Sequence, residues 1–144
     1  MTRVVIDTNV WVSGLLWTGS PWRILRLAED EEIEVWATVS MLEELEAVLS
    51  YPRLQPRRKD MGLEIADLMA YATALVSLVE LARIEPVVAA DADDDVFVDC
   101  ALAVGAEYLI SGDKHLLNLA EWRGIPIVTP QVFLEEEFPQ LIEG

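Results

Sequence analysis

The sequence holds one cysteine, Cys100, and one histidine, His115. A lone cysteine excludes a disulfide framework within the chain and points to a reducing, cytoplasmic setting. The pair offers no zinc-ligand spacing, which makes a zinc site unexpected. It also offers no convincing nucleophile–base pair, so covalent catalysis is not expected. Basic residues are scarce as well: 10 Lys and Arg stand against 26 Asp and Glu, a net charge of −16. This argues against a protein that grips nucleic acid by bulk charge, because phosphate binding needs a positive surface. The most apolar stretch, residues 65–82, is interrupted by Asp67 and Glu80 and breaks near Ala74, so no membrane span is expected. The first seven residues lack the long apolar region of a signal peptide. No repeat or low-complexity segment is visible.

What is present is a large apolar fraction, 53% of 144 residues. That length implies one domain, residues 1–144, able to bury roughly 70% of its extended surface. An apolar run at 3–6 predicts a buried strand, and residues 11–17 a helix. Ser20-Pro21 reads as an N-cap followed by proline at the first helical position, with Trp22, Leu25 and Ala28 on one face. Residues 33–37 alternate as a strand does. Ser40 and Glu43 match a capping box that opens a helix to about Leu49. Residues 51–60, with two prolines and Arg57-Arg58-Lys59, predict a basic loop. Residues 61–74 predict a helix apolar on nearly every side, 76–81 a strand, and 86–95 an aspartate-rich loop. A helix over 96–104 ends at Gly105, and a strand over 108–111 leads into Gly112-Asp113. A short helix at 115–119, a strand at 125–128 and a helix from Pro130 complete the chain. Strands alternating with helices imply an α/β three-layer sandwich, with a mostly parallel central sheet flanked by helices.

In such a sheet, ligands sit beyond the carboxyl ends of the strands. Asp7 directly follows the first strand and Glu44 lies early in the helix after the second. Asp94 heads the helix after the acidic loop, and Asp113 follows the 108–111 strand. The topology brings all four toward one edge. Singly, each aspartate can be a helix cap and Glu44 a solvated residue. Together, converging carboxylates repel one another unless a cation neutralises them. An all-oxygen site suits Mg²⁺ or Mn²⁺, and phosphodiester hydrolysis is the chemistry that uses such a site.

These stretches resemble the motifs of the PIN-domain nuclease family. Val4-Val-Ile-Asp7-Thr8-Asn9-Val10 is similar to its opening motif, and Leu42-Glu43-Glu44-Leu45 to its second. Asp91-Ala-Asp93-Asp94-Asp95-Val96-Phe97 resembles the third, and Leu109-Ile110-Ser111-Gly112-Asp113 the fourth. The resemblance runs from Val4 to about Leu134 and implies metal binding and catalysis by Asp7, Glu44, Asp94 and Asp113. Glu43 competes with Glu44 but occupies the capping-box position. Asp95 and Asp91 are alternatives to Asp94. Asp99, about one turn further on, faces either the site or solvent. Asn9 either orients Asp7 and touches phosphate or serves the turn, and Ser111 stands where threonine is commoner in the family. Asn9–Gly14 and Asp94–Phe97 resemble the VapC-like branch, which implies the toxin of a type II toxin–antitoxin pair and a cognate antitoxin partner.

The expected function is therefore a Mg²⁺- or Mn²⁺-dependent endoribonuclease acting on single-stranded or structured RNA. Arg57, Arg58 and Lys59 are the best basic patch for RNA, with Arg23 and Arg26 a weaker one, and Lys114 and His115 can contact the scissile phosphate; each is otherwise a solvated residue. The alternatives are a catalytically silent PIN-fold binding module and a Mg²⁺-dependent, receiver-like phosphotransfer domain, whose order of acids and lysine does not match this chain. The apolar 61–74 helix implies burial on more than one side, and hence a homodimer.

Overall fold

A computed structural model describes residues 1–81 and 92–141, with side chains from 96 onward in the second segment. The expected loop at 86–95 falls outside the described residues except for its last four, whose backbone is helical.

The sheet orders its six strands β3-β2-β1-β4-β6-β5. β1 (Thr2–Ile6) is central, paired in parallel with β2 (Ile33–Ala37) and β4 (Tyr108–Ile110). β3 (Val76–Leu78) extends the sheet beyond β2, and β6 (Ile125–Val128) extends it beyond β4, both in parallel. Only β5 (Glu121–Trp122) runs antiparallel, in a hairpin with β6.

Side chains on a strand alternate between faces, and β1 feeds two cores. Val4 and Ile6 pack under α1 (Thr8–Leu16), α2 (Ser20–Glu29), α3 (Val39–Leu49), α5 (Ile65–Leu75) and α8 (Pro130–Glu137). Val5 packs on the other face with Leu109, Ile127, α6 (Ala92–Val104) and Leu116 of α7 (Lys114–Leu117). Val4, Val5 and Ile6 are all fully buried, as a central strand covered on both faces requires. The expected three-layer α/β sandwich is the observed fold.

Several local expectations are corrected. Residues 51–60 are not a loop: Pro52–Leu54 is a 3-10 turn and Gln55–Met61 forms α4. Pro52 and Pro56 stand at helix starts, where no amide is required, so they initiate helices rather than prevent them. The expected 61–74 helix is α5, starting only at Ile65; Met61 instead closes α4, because Gly62 ends that helix in the left-handed conformation (φ +69°). The capping box of α3 uses Thr38 and Met41, not Ser40 and Glu43: Thr38 Oγ1 accepts the Met41 amide at 3.1 Å. At α2 the cap position is Gly19 rather than Ser20. β5 was not foreseen; it is two residues long, and its turn puts Arg123 (φ +49°) and Gly124 (φ +86°) in the left-handed region that tight hairpins use.

Candidate active site

β1 ends at Ile6, and the next residue, Asp7, caps α1: its Oδ1 accepts the Val10 amide at 2.9 Å. The Asp7 amide donates to Ile110 O on β4 at 3.0 Å, which locks the two strand ends side by side. This brings Ser111 against Asp7. Ser111 Oγ donates a short hydrogen bond to Asp7 Oδ2 and accepts the Asp113 amide at 2.9 Å. The Gly112 amide also points to Asp7 Oδ2, at 3.3 Å. Asp113 caps α7 through the His115 amide at 2.7 Å. One hydroxyl, itself fully buried, thus ties together two acids from adjacent strand ends.

Asp7 is buried, with 4% of its surface exposed. Burial pushes its carboxyl pKa above the ordinary value; bonds from Ser111, Val10 and Gly112 pull the other way, and the charge of Asp113 raises it further. Among the described residues the ion pairs are Arg3–Glu34 and Arg26–Glu29, so no basic side chain neutralises Asp7 at contact distance.

Glu44 reaches the same end of the fold from α3. Its Oε2 accepts the Thr8 hydroxyl at 3.0 Å. Glu44 is half-buried and Glu43 exposed; Glu43 takes no part in the capping box that was expected to occupy it. Thr8 is the residue that sequence reasoning missed. Its signal was available: it follows Asp7 directly, and a short hydroxyl at a helix start is placed to hold a neighbouring carboxylate.

The other expected residues divide clearly. Asn9 is exposed in the first turn of α1, and Lys114 and His115 are exposed at the start of α7. Asp99 is half-buried on α6. The backbones of Asp94 and Asp95 belong to the first turn of α6, which begins before the expected start at 96; their side chains, and all of Asp91, lie outside the described residues. Arg57, Arg58 and Lys59 lie on α4, and Arg57 Nε donates to Leu16 O at 2.6 Å. The basic patch therefore meets the C-terminal end of α1, whereas Asp7 sits at its N-terminal end.

Among the described residues, no three Asp, Glu, His or Cys side chains form a group that could hold a metal. The fit to a divalent cation rests on Asp7 itself: a buried carboxylate beside a second acid, without a basic partner among the described residues, is complemented by positive charge. The donors are all oxygen, which suits Mg²⁺ or Mn²⁺. Cys100 is fully buried, and burial pushes its thiol up to about 12, so it is not a nucleophile at neutral pH. Among the described residues no helix is long and apolar enough to cross a membrane.

Residues 3–115 match the sequence model of the PIN domain. The chain is also similar to an uncharacterized protein of Methanocaldococcus jannaschii, MJ1680: 33% identity over 144 residues, covering 93% of this chain and 90% of the relative.

Proposed function

The chain belongs to the PIN-domain family, whose members are generally nucleases, and from that premise we propose that it is a Mg²⁺- or Mn²⁺-dependent endoribonuclease. Its catalytic and metal-binding residues are Asp7, Glu44, Asp94 and Asp113, and its substrate is single-stranded or structured RNA. The observation that supports this most directly is the buried Asp7 carboxylate at the carboxyl end of the central strand, near the charge of Asp113 and without a basic partner among the described residues.

A bound divalent cation would supply Lewis-acid charge for the phosphate and lower the pKa of an attacking water. The residues of the chain do the positioning. Ser111 fixes the Asp7 carboxylate in one orientation, Thr8 holds Glu44, and the His115 amide holds Asp113. Such preset geometry removes the reorganisation that flexible carboxylates would need. Lys114 and His115, exposed beside Asp113, are the nearest basic residues in sequence for the scissile phosphate. Water is the nucleophile, and no covalent enzyme intermediate forms.

Incubation with single-stranded RNA and Mn²⁺ tests the reading. Cleavage that EDTA stops and Asp7→Asn abolishes is expected. Cleavage indifferent to both sinks it, as does a failure to cut any RNA, which would favour a silent binding module.

The toxin role belongs to the same proposal. It is supported by the resemblance of residues 9–14 and 94–97 to the toxin branch, and it implies a cognate antitoxin. Expression should arrest growth, and Asp7→Asn should relieve the arrest; normal growth with active enzyme would remove this role. A homodimer is part of the reading too, supported by Ile65, Met69 and Leu75 of α5, which remain half-buried in the single chain. Sedimentation at micromolar concentration should give a dimer that Met69→Glu disturbs; a monomer would exclude it.

A further inference from the structure

Away from the acids, α1, α2, α4 and α5 enclose a groove of about 330 Å³, within the range of small-ligand sites. Its walls include Trp17, Trp22 and Tyr71, together with Arg26 and Arg57. Trp17 and Trp22 are 44% and 37% exposed, unusually open for the largest apolar side chain. Arg26 is committed to the frame. Its guanidinium lies 4.9 Å from the Trp22 ring and 5.2 Å from Tyr71, and it pairs with Glu29 at 3.1 Å. Arg57 differs. Its Nε caps the C-terminal carbonyl of Leu16, its guanidinium lies 5.6 Å from the Trp17 ring, and no acid among the described residues pairs with it. The acid lining the groove, Asp67, is turned to its own helix start, accepting the Glu64 amide at 2.9 Å.

The charge of the whole chain sharpens the point. Six of its ten basic residues (Arg23, Arg26, Arg53, Arg57, Arg58 and Lys59) fall in α2 and the 52–61 segment, the two elements that flank the groove. In a protein of net charge −16, this concentrates positive charge beside open aromatic faces. Flat rings with adjacent cations fit a polymer of planar bases and phosphates, since every base offers a face to stack and every linkage a negative charge. α1, nine residues and about 13 Å long, runs from Asp7 to this groove.

We propose that the groove is a second RNA-binding subsite, which stacks a base of a single-stranded segment on Trp17 or Trp22 and takes the adjoining phosphate on Arg57. The identity of the polymer rests on the endoribonuclease reading. The subsite gives an acidic protein purchase on RNA away from its own carboxylates.

The test is fluorescence anisotropy of a 5′-labelled oligo(A) RNA hexamer in EDTA, where the proposed cleavage is silenced. Trp22→Ala and Arg57→Gln should each weaken binding roughly tenfold, within the range measured for loss of one stacked base or one charged contact. Trp22→Phe keeps a ring and should retain most of the affinity. Arg57→Gln should also lower the salt slope by about one. Circular dichroism checks that each variant is folded; should Trp22→Ala unfold, Arg57→Gln and its salt slope decide. No binding by the wild type, or equal binding by all folded variants, overturns the subsite; either result leaves the groove to a protein segment. Hexamer that is bound as expected, by a protein that cuts no RNA with Mn²⁺, sinks the nuclease reading and leaves the subsite standing. Cutting with equal binding by every variant does the reverse.

Discussion

Asp7 and Asp113 stand at the carboxyl ends of adjacent strands and share one buried hydroxyl, that of Ser111, which donates to the first and accepts the amide of the second. Among the described residues no basic side chain pairs with Asp7. Burial is the larger cost of its charge, and Asp113 adds to it.

Burial, the main cause, and the charge of Asp113 raise the pKa of Asp7 above 3.8. The folded state then binds this proton more tightly than the unfolded chain does. Its contribution to stability is fully present below pH 3.8 and is lost as pH rises through the folded pKa. At pH 7 in EDTA, Asp7→Asn should therefore melt higher than the wild type. The gap should narrow as pH falls. Adding Mn²⁺ should stabilise the wild type and leave Asp7→Asn nearly unmoved. An Asp7→Asn protein that melts lower in EDTA at pH 7 contradicts the argument.

Ser111→Ala removes a donor to Asp7 and leaves the Asp113 amide without its acceptor. Loss of such a buried partner costs about 1–3 kcal/mol, and the pKa of Asp7 should rise further because a bond that lowered it is gone. Ser111→Thr keeps the hydroxyl and should retain cleavage. Chemical denaturation and a ribonuclease assay compare the two; equal behaviour of the alanine and threonine variants would refute the role of the hydroxyl.

Cys100 should be inert. With its thiol pushed up to about 12 by burial, it should resist a thiol-specific disulfide reagent at pH 8 until denaturant opens the fold. Cys100→Ser should match the wild type in the proposed ribonuclease assay. Rapid labelling of the native protein, or loss of turnover in the serine variant, would count against this account.

Gly14 is where α1 and α2 meet. A Cβ there would lie 2.8 Å from Leu25 Cδ1 and 2.9 Å from the Pro21 carbonyl oxygen. Leu25 can turn aside, but the carbonyl moves only with α2. Gly14→Ala should therefore destabilise by about 1–3 kcal/mol, the usual penalty of overpacking, read from the midpoint of urea unfolding. An unchanged midpoint would mean that α2 shifts freely.

The sandwich was legible because its strands carry a strong signal. Val4-Val5-Ile6 and Leu109-Ile110 are unbroken apolar runs, which a strand covered on both faces needs. The helical nature of 52–61 was hidden by Pro52 and Pro56, whose meaning depends on whether a helix starts or continues at that point. The split at Gly62 was hidden because the apolar pattern of Met61 and Leu63 passes straight through it. At the site, the position of Asp7 could be read from its place after β1. Its bond to Ser111 could not, since β1 and β4 are more than a hundred residues apart in the chain and meet only through the sheet order. Thr8 could have been singled out by its place after Asp7, but its bond to Glu44 could not be read, because Glu44 comes from another helix.

The flanks of the sheet have a consequence for solubility. β3 offers three residues and β5 two, so neither outer strand presents a long row of open amides and carbonyls to a neighbouring molecule. β5 turns back antiparallel just where another parallel strand could be added, and its turn carries Arg123 and Gly124 with positive φ. A chain that is more than half apolar by composition thus ends its sheet on two blunt borders, wrapped in strong negative charge. It should remain dispersed at concentrations where a broad, flat-edged sheet of the same composition would zip into fibres.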